Sequence, residues 1–184
     1  MRGKRIASGL LALSLAMTPA LAAKTKGASA ELKDTDGQNV GTVALREGQD
    51  NNGVWLNVSF SKLPPGSHAF HIHETGKCDG DFKSADGHYA PEGNKHGLLA
   101  EGGPHAGDLP NIHVPSDGHL NLEIFVDKVS LRKGAKNSLF DEDGSAFVVH
   151  DGVDDYKSQP SGDAGKRIAC GVITNRIVDS ALQE

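Results

Sequence analysis

Hydrophobic and polar positions along the chain alternate with a period of two in several short runs, with turn residues between them. In residues 54–60, VWLNVSF, the side chains of Val54, Leu56, Val58 and Phe60 fall on one face, the spacing a half-buried strand requires. In residues 120–126, LNLEIFV, Leu120, Leu122, Ile124 and Val126 do the same. Runs at 40–46, 68–73, 146–150 and 167–173 complete the predicted strands, with DTDGQ and LPPG as turn signals among them. No segment ahead of the tail keeps a helical period over three turns. The tail, residues 174–184, is ambiguous and reads as a final short helix. Many short strands joined by glycine-rich turns predict an all-β sandwich or barrel.

Two stretches, 74–118 and 151–166, show neither period. Irregular segments of that length in a compact domain are functional or disordered. The first contains His88, His96, His105, His113 and Asp108, a composition unsuited to a plain linker.

The N-terminus has a different character. Arg2, Lys4 and Arg5 precede the apolar run IASGLLALSLAM, which is too short to span a bilayer, and Ala20-Leu21-Ala22 fits a small-x-small cleavage site. Residues 1–22 therefore read as a secretory signal peptide, and 23–184 as one exported domain. No other run has the length and apolarity for membrane insertion. Losing three of the 19 basic residues against 24 acidic ones takes the formal charge from −5 to −8. That charge argues against nucleic acid as a partner, and an anionic substrate would need a local field opposing the global one.

Cys78 and Cys170 are the two cysteines. In an exported protein such a pair is most simply one disulfide; the alternative is two buried thiols.

The nine histidines point to metal chemistry. His71 and His73 lie two apart on one predicted strand, so both face away from Phe70 and Ile72. His88, His96 and His105 follow at spacings of eight and nine, Asp108 comes three later, and His150 ends a strand. Imidazoles with a carboxylate suit zinc, and several imidazoles suit copper. Any one of these histidines alone is a weak signal.

Taken in order, FHIHETGKC, SADGHYAP, KHG, GPHAGDLPN, VVHDGVDD and GKRIACGVI resemble the copper/zinc superoxide dismutases across residues 28–173. The export signal and GDLPNIHV make the chain similar to the periplasmic bacterial branch. The resemblance implies a Greek-key barrel of immunoglobulin-like type with two long functional loops. It implies copper on His71, His73, His88 and His150, and zinc on His88, His96, His105 and Asp108, with His88 shared as an imidazolate. It further implies that Asp154 links His71 to His96, that Arg167 stands beside the copper, and that Cys78 pairs with Cys170. Asp155 is then a solvated loop charge. The implied reaction converts superoxide to dioxygen and hydrogen peroxide. His68, His113 and His119 match no ligand and read as surface or loop residues.

Two features depart from the family's animal members. The loop from His150 to Arg167 is shorter and lacks their evident steering residues, leaving Lys157, Lys83, Lys95 and Lys166 as candidates. The segment from His73 to Cys78 is compressed, so a homodimer is possible but its interface stays open. Three rival readings bear comparison. A copper-delivery module would lack part of the copper set or the arginine, a copper-only dismutase would lack the zinc residues, and a structural sandwich would need none of them.

Overall fold

Ten strands form between Lys24 and Asp179 in a computed structural model that describes residues 24–179. The expected signal peptide lies outside the described residues. The strands are β1 (Lys24–Asp34), β2 (Asn39–Glu47), β3 (Val54–Phe60), β4 (Gly66–His68), β5 (Phe70–His73), β6 (Ile112–Val114), β7 (Leu120–Val126), β8 (Ala146–His150), β9 (Arg167–Val172) and β10 (Thr174–Asp179). Eight of them make one antiparallel sheet in the order β5-β8-β9-β1-β2-β3-β7, with β10 added beside β1. Strands β4 and β6 pair separately. The order places sequence-distant strands side by side, as Greek-key connections do.

The alternating runs are the strands expected of them. Val54, Leu56, Val58 and Phe60 are buried on β3, and Leu120, Leu122 and Ile124 of β7 pack against the same core. Phe70 sits between Phe60, met edge-on with centroids 5.9 Å apart, and Phe147, stacked at 5.2 Å. Such a trio binds β3, β5 and β8 together, and truncating a ring of this kind to alanine typically costs about 3–5 kcal/mol.

Four expectations need correction. Strand β1 was not among the predicted runs because its inward positions are Ala28, Ala30 and Leu32, and alanine is a faint hydrophobic mark. The tail enters strand β10 at Thr174, not a helix: hydrogen bonding to β1 from Lys24↔Asp179 to Ser29↔Thr174 decides its conformation. The segment at 68–73 is two strands in two sheets, since Ala69 leaves β5 to bond Gly152 and His150. The stretch 74–118 holds β6 and a single 3-10 turn, Lys83–Ala85. A further long connection without strands runs from 127 to 145.

Strand β8 is buried along its whole length, and this positions everything that follows. Phe147 and Val149 face the main core, while Ala146 and Val148 face a second small cluster with Phe82, Ala85 and Cys170. Cys78 and Cys170 are joined by a disulfide, which holds the 78–86 segment over that outer face.

Candidate metal centre

Alternation on β5 sends Phe70 and Ile72 into the core and leaves His71 and His73 on the outer face, opposite Val148 and Ala146 of β8. That face would be open to water without the long loop. The loop instead lines the free edge of β5: the Ile72 N–H donates to the Gly107 carbonyl at 2.9 Å, and the Tyr89 N–H to the Ile72 carbonyl at 2.9 Å. A Cβ at position 107 would run into the Ile72 carbonyl, so glycine is what lets the loop come this close. Bridges at His71↔Asp108 and His73↔His88 bring the loop residues alongside the strand residues.

Two groups of side chains result. His71, His73, His88 and His150 form one; His88, His96, His105 and Asp108 form the other; in each the possible ligand atoms lie within 4.8 Å of one another. His88 belongs to both, one ring nitrogen to each side. In the first group Nδ1 of His71 and Nε2 of His73, His88 and His150 are buried with no hydrogen-bond partner. Buried polar atoms normally find partners, and four orphans facing one point are the donor set of an ion. In the second group Nδ1 of His88, His96 and His105 converge on a single oxygen of Asp108 at 2.8, 3.0 and 3.2 Å. The other oxygen of Asp108 accepts the N–H groups of Gly97 at 2.8 Å and His105 at 3.0 Å, which fixes the carboxylate. Three imidazoles and one carboxylate suit a closed tetrahedral zinc site.

The rings are oriented from behind. His71 Nε2 donates to one oxygen of Asp154 at 2.9 Å and His96 Nε2 to the other at 3.0 Å. His73 Nδ1 donates to the Asp86 carbonyl at 2.8 Å, and His150 Nδ1 lies 3.4 Å from the Gly165 carbonyl. Each outer partner leaves the other ring nitrogen free to face the group. Burial lowers His88 to a pKa of about 4, with neighbouring His71 and His96 adding to it against the opposing bond from Asp108. Burial, then His71, lowers His150 to about 3, and burial with His88 and Arg167 holds His73 well below its usual value. Neutral imidazoles are the form that ligates. Burial pushes Asp108 up, but bonds from His105 and His88 outweigh it and keep the carboxyl ionised.

Arg167 pairs with His150 across β8 and β9. It is half-buried, and its guanidinium donates to the carbonyls of Phe82 and Asp86, both at 2.6 Å. The Asp86 carbonyl thus receives both Arg167 and His73.

The remaining histidines divide. His68 is buried, contrary to a surface reading: its ring fills the space between β4 and the end of β8. His113 is exposed with Nδ1 3.1 Å from Ser67 Oγ, and His119 is exposed. Lys83 pairs with Asp81, while Lys95, Lys157 and Lys166 are exposed, as is Asp155. Sequence reasoning missed Asn111 and Gln159, whose amides bond the backbones of Asp154 and His96. Nothing in a one-dimensional pattern marks a side chain that acts through another residue's peptide group.

Comparison with known proteins decides the family. The model of the copper/zinc superoxide dismutases matches residues 39–173. The chain belongs to that family. It is 51% identical over 168 residues to superoxide dismutase [Cu-Zn] 2 of Aquifex aeolicus, covering 90% of this chain and 97% of that one. The crystal structure of a superoxide dismutase-like protein from Bacillus subtilis aligns with a TM-score of 0.76 at 41% identity, over 80% of this chain and 99% of that one. The Cu/Zn superoxide dismutase from Brucella abortus aligns at 0.63 and 32%, over 79% and 98%. Family membership brings the enzyme class, superoxide dismutase, and the two metals, copper and zinc. The two groups of residues fit such a pair of ions.

Proposed function

We propose that the first group holds copper, the second holds zinc, and the enzyme removes superoxide outside the cytoplasm, in the periplasm. The division of His88 carries this reading: its Nε2 is an orphan of the first group and its Nδ1 belongs to the second. When bound, copper supplies a one-electron couple, whereas zinc has no redox chemistry and keeps its ligands in place. Over one cycle two superoxide anions and two protons give one dioxygen and one hydrogen peroxide.

The chain's own residues supply the remainder. Arg167 offers a permanent positive charge with a planar donor array suited to a small anion, and the carbonyls of Phe82 and Asp86 hold it. It attracts superoxide in a protein whose overall charge is negative, by focusing a local positive field at the site. His88 manages a proton. Its Nε2 would either help to hold copper or, released from it, carry a proton for the product, since one lone pair cannot do both at once. Asp154 keeps His71 and His96 from rotating. The leader-like N-terminus, which the sequence offers as an export signal, supports action outside the cytoplasm.

The test is metal content of the purified mature protein together with superoxide consumption, before and after chelation. One copper and one zinc per chain, with consumption lost and restored in step with copper, is the expected result. Full consumption by metal-free protein would overturn the reading.

A further inference from the structure

The two long loops exchange a matched pair of contacts. From the first loop, Asn111 reaches the peptide group of Asp154: its Nδ2 donates to the carbonyl and its Oδ1 accepts the N–H, each at 2.9 Å. From the second loop, Gln159 reaches the peptide group of His96: its Oε1 accepts the N–H at 3.1 Å and its Nε2 donates to the carbonyl at 2.8 Å. The two residues held in this way are the two that meet through their side chains, His96 Nε2 on Asp154 Oδ1 at 3.0 Å. Each loop therefore grips the backbone of the other loop's essential residue.

The chemistry of the grip is specific. A primary amide has one acceptor and a donor array, so it can satisfy both halves of a peptide group at once. A carboxylate would accept and not donate; a hydroxyl would not span both atoms. Being uncharged, the amide also leaves the acid–base balance of the buried histidines alone. The same seam is closed further by the Asn111 N–H donating to Tyr156 Oη at 2.8 Å and the Leu99 N–H to the Tyr156 carbonyl at 3.1 Å. Gly97, at φ +109°, lies where a Cβ would strike that same carbonyl, so the loops approach as closely as backbone allows.

We propose that Asn111 and Gln159 are positioning residues, a reciprocal amide clamp that keeps His96 and Asp154 in the arrangement that retains the ion of the second group. The proposal rests on the two-metal reading above. The clamp acts through His96: with its backbone held and Nε2 engaged by Asp154, the ring presents Nδ1 to the point shared with Asp108. Releasing the backbone lets the ring drift from that point. Outer partners of metal ligands typically account for about 10–100-fold in affinity, and an exposed amide such as Gln159 belongs at the lower end.

The test uses metal-loaded protein with Gln159→Ala, Asn111→Ala and the double variant. Zinc transfer to a chromogenic chelator is expected to quicken about tenfold in each single variant. The double variant is expected to fall short of the product of the two, because both act on one His96–Asp154 bond. Cobalt(II) placed in the second group should give a visible spectrum altered in intensity or position in each variant. Gln159→Glu, which sets a carboxylate oxygen against the His96 carbonyl where the amide donated, should release zinc at least as fast as Gln159→Ala. If Asn111→Ala fails to fold, the two Gln159 variants carry the test alone. A lowered melting temperature with unchanged zinc transfer and unchanged cobalt spectrum would mark a merely structural contact and overturn the clamp. Wild-type protein that takes up no zinc would overturn the two-metal reading and the clamp with it.

Discussion

Nδ1 of His68 lies 2.8 Å from the backbone oxygen of His150, and Nε2 of the same ring lies 2.8 Å from that of Pro64. One buried imidazole thus bridges the turn ahead of β4 and the end of β8, where one of the four converging histidines sits. A neutral imidazole carries one N–H, so His68→Ala deprives one carbonyl of its donor, at about 1–3 kcal/mol, and removes a buried ring besides. The variant should unfold at lower denaturant concentration and hold copper less tightly, because His150 loses its backbone anchor. Denaturation of metal-free protein and copper analysis of loaded protein check both halves. An unchanged midpoint would remove His68 from the account.

His150 separates the two metal groups, since it belongs to the first and not the second. His150→Ala should abolish superoxide consumption while zinc stays near one per chain. Metal analysis alongside the assay decides it; undiminished turnover would show that His150 does not hold copper.

Strands were legible wherever large apolar side chains alternated, and Val54 to Phe60 is the clearest case. They were illegible where alanines marked the inner face, as in β1, or where pairing alone chose the conformation, as for the tail against β1. The site shows the same split. Histidines are scarce enough to stand out, so His71, His73, His88, His96, His105 and His150 could be picked from the sequence and fall into two groups in space. Asn111 and Gln159 could not be, because their partners are peptide groups distant along the chain, nor could the Asp86 carbonyl, itself a peptide group that His73 and Arg167 reach from elsewhere. His68 was misread since a histidine two positions before a core strand carries no sign of its own burial.

Arg167 is held by two carbonyls and needs no metal to stay in place. Arg167→Ala should lower kcat/KM by roughly tenfold or more, the scale of electrostatic steering, with copper content unchanged. Arg167→Lys should recover part of the loss, keeping charge without the planar donor array. Raising ionic strength should slow the wild type more than Arg167→Ala, because screening acts on the attraction the variant has already lost. Copper loss in Arg167→Ala would reassign the residue to the metal site itself.

Acid should destabilise the metal-free protein earlier than its carboxylates alone would. Unfolded histidines take up protons near pH 6.5, whereas burial holds His88 to about 4 and His150 to about 3, with His73 also lowered. Between those limits the unfolded chain binds more protons than the folded one, so stability is full above about pH 6.5 and falls as pH drops. Each such group contributes a slope of up to about 1.4 kcal/mol per pH unit. Asp154 is lowered too, through bonds from His71 and Tyr156 that outweigh its burial, so its contribution is lost only below the usual carboxylate range. Urea midpoints of metal-free protein should hold level from about pH 7.5 to about pH 6.5 and then fall steadily to about pH 4.5. A flat profile across that range would contradict the burial of neutral rings.

The disulfide should matter to activity as well as to stability. Cys78 and Cys170 are 92 residues apart, and closing a loop of that size stabilises by roughly 4–5 kcal/mol in the chain-entropy account. The same bond keeps Phe82 and Ala85 over β8, and the carbonyls of Phe82 and Asp86 in that segment are the ones that hold Arg167 and His73. Freed from Cys170, the segment carries those acceptors away, and the guanidinium loses its fixed direction. The double variant Cys78→Ser with Cys170→Ser should therefore melt lower and, assayed well below its melting temperature, show a reduced kcat/KM with the salt dependence of Arg167→Ala. Stability lost with kcat/KM and salt response intact would confine the disulfide to a purely structural part.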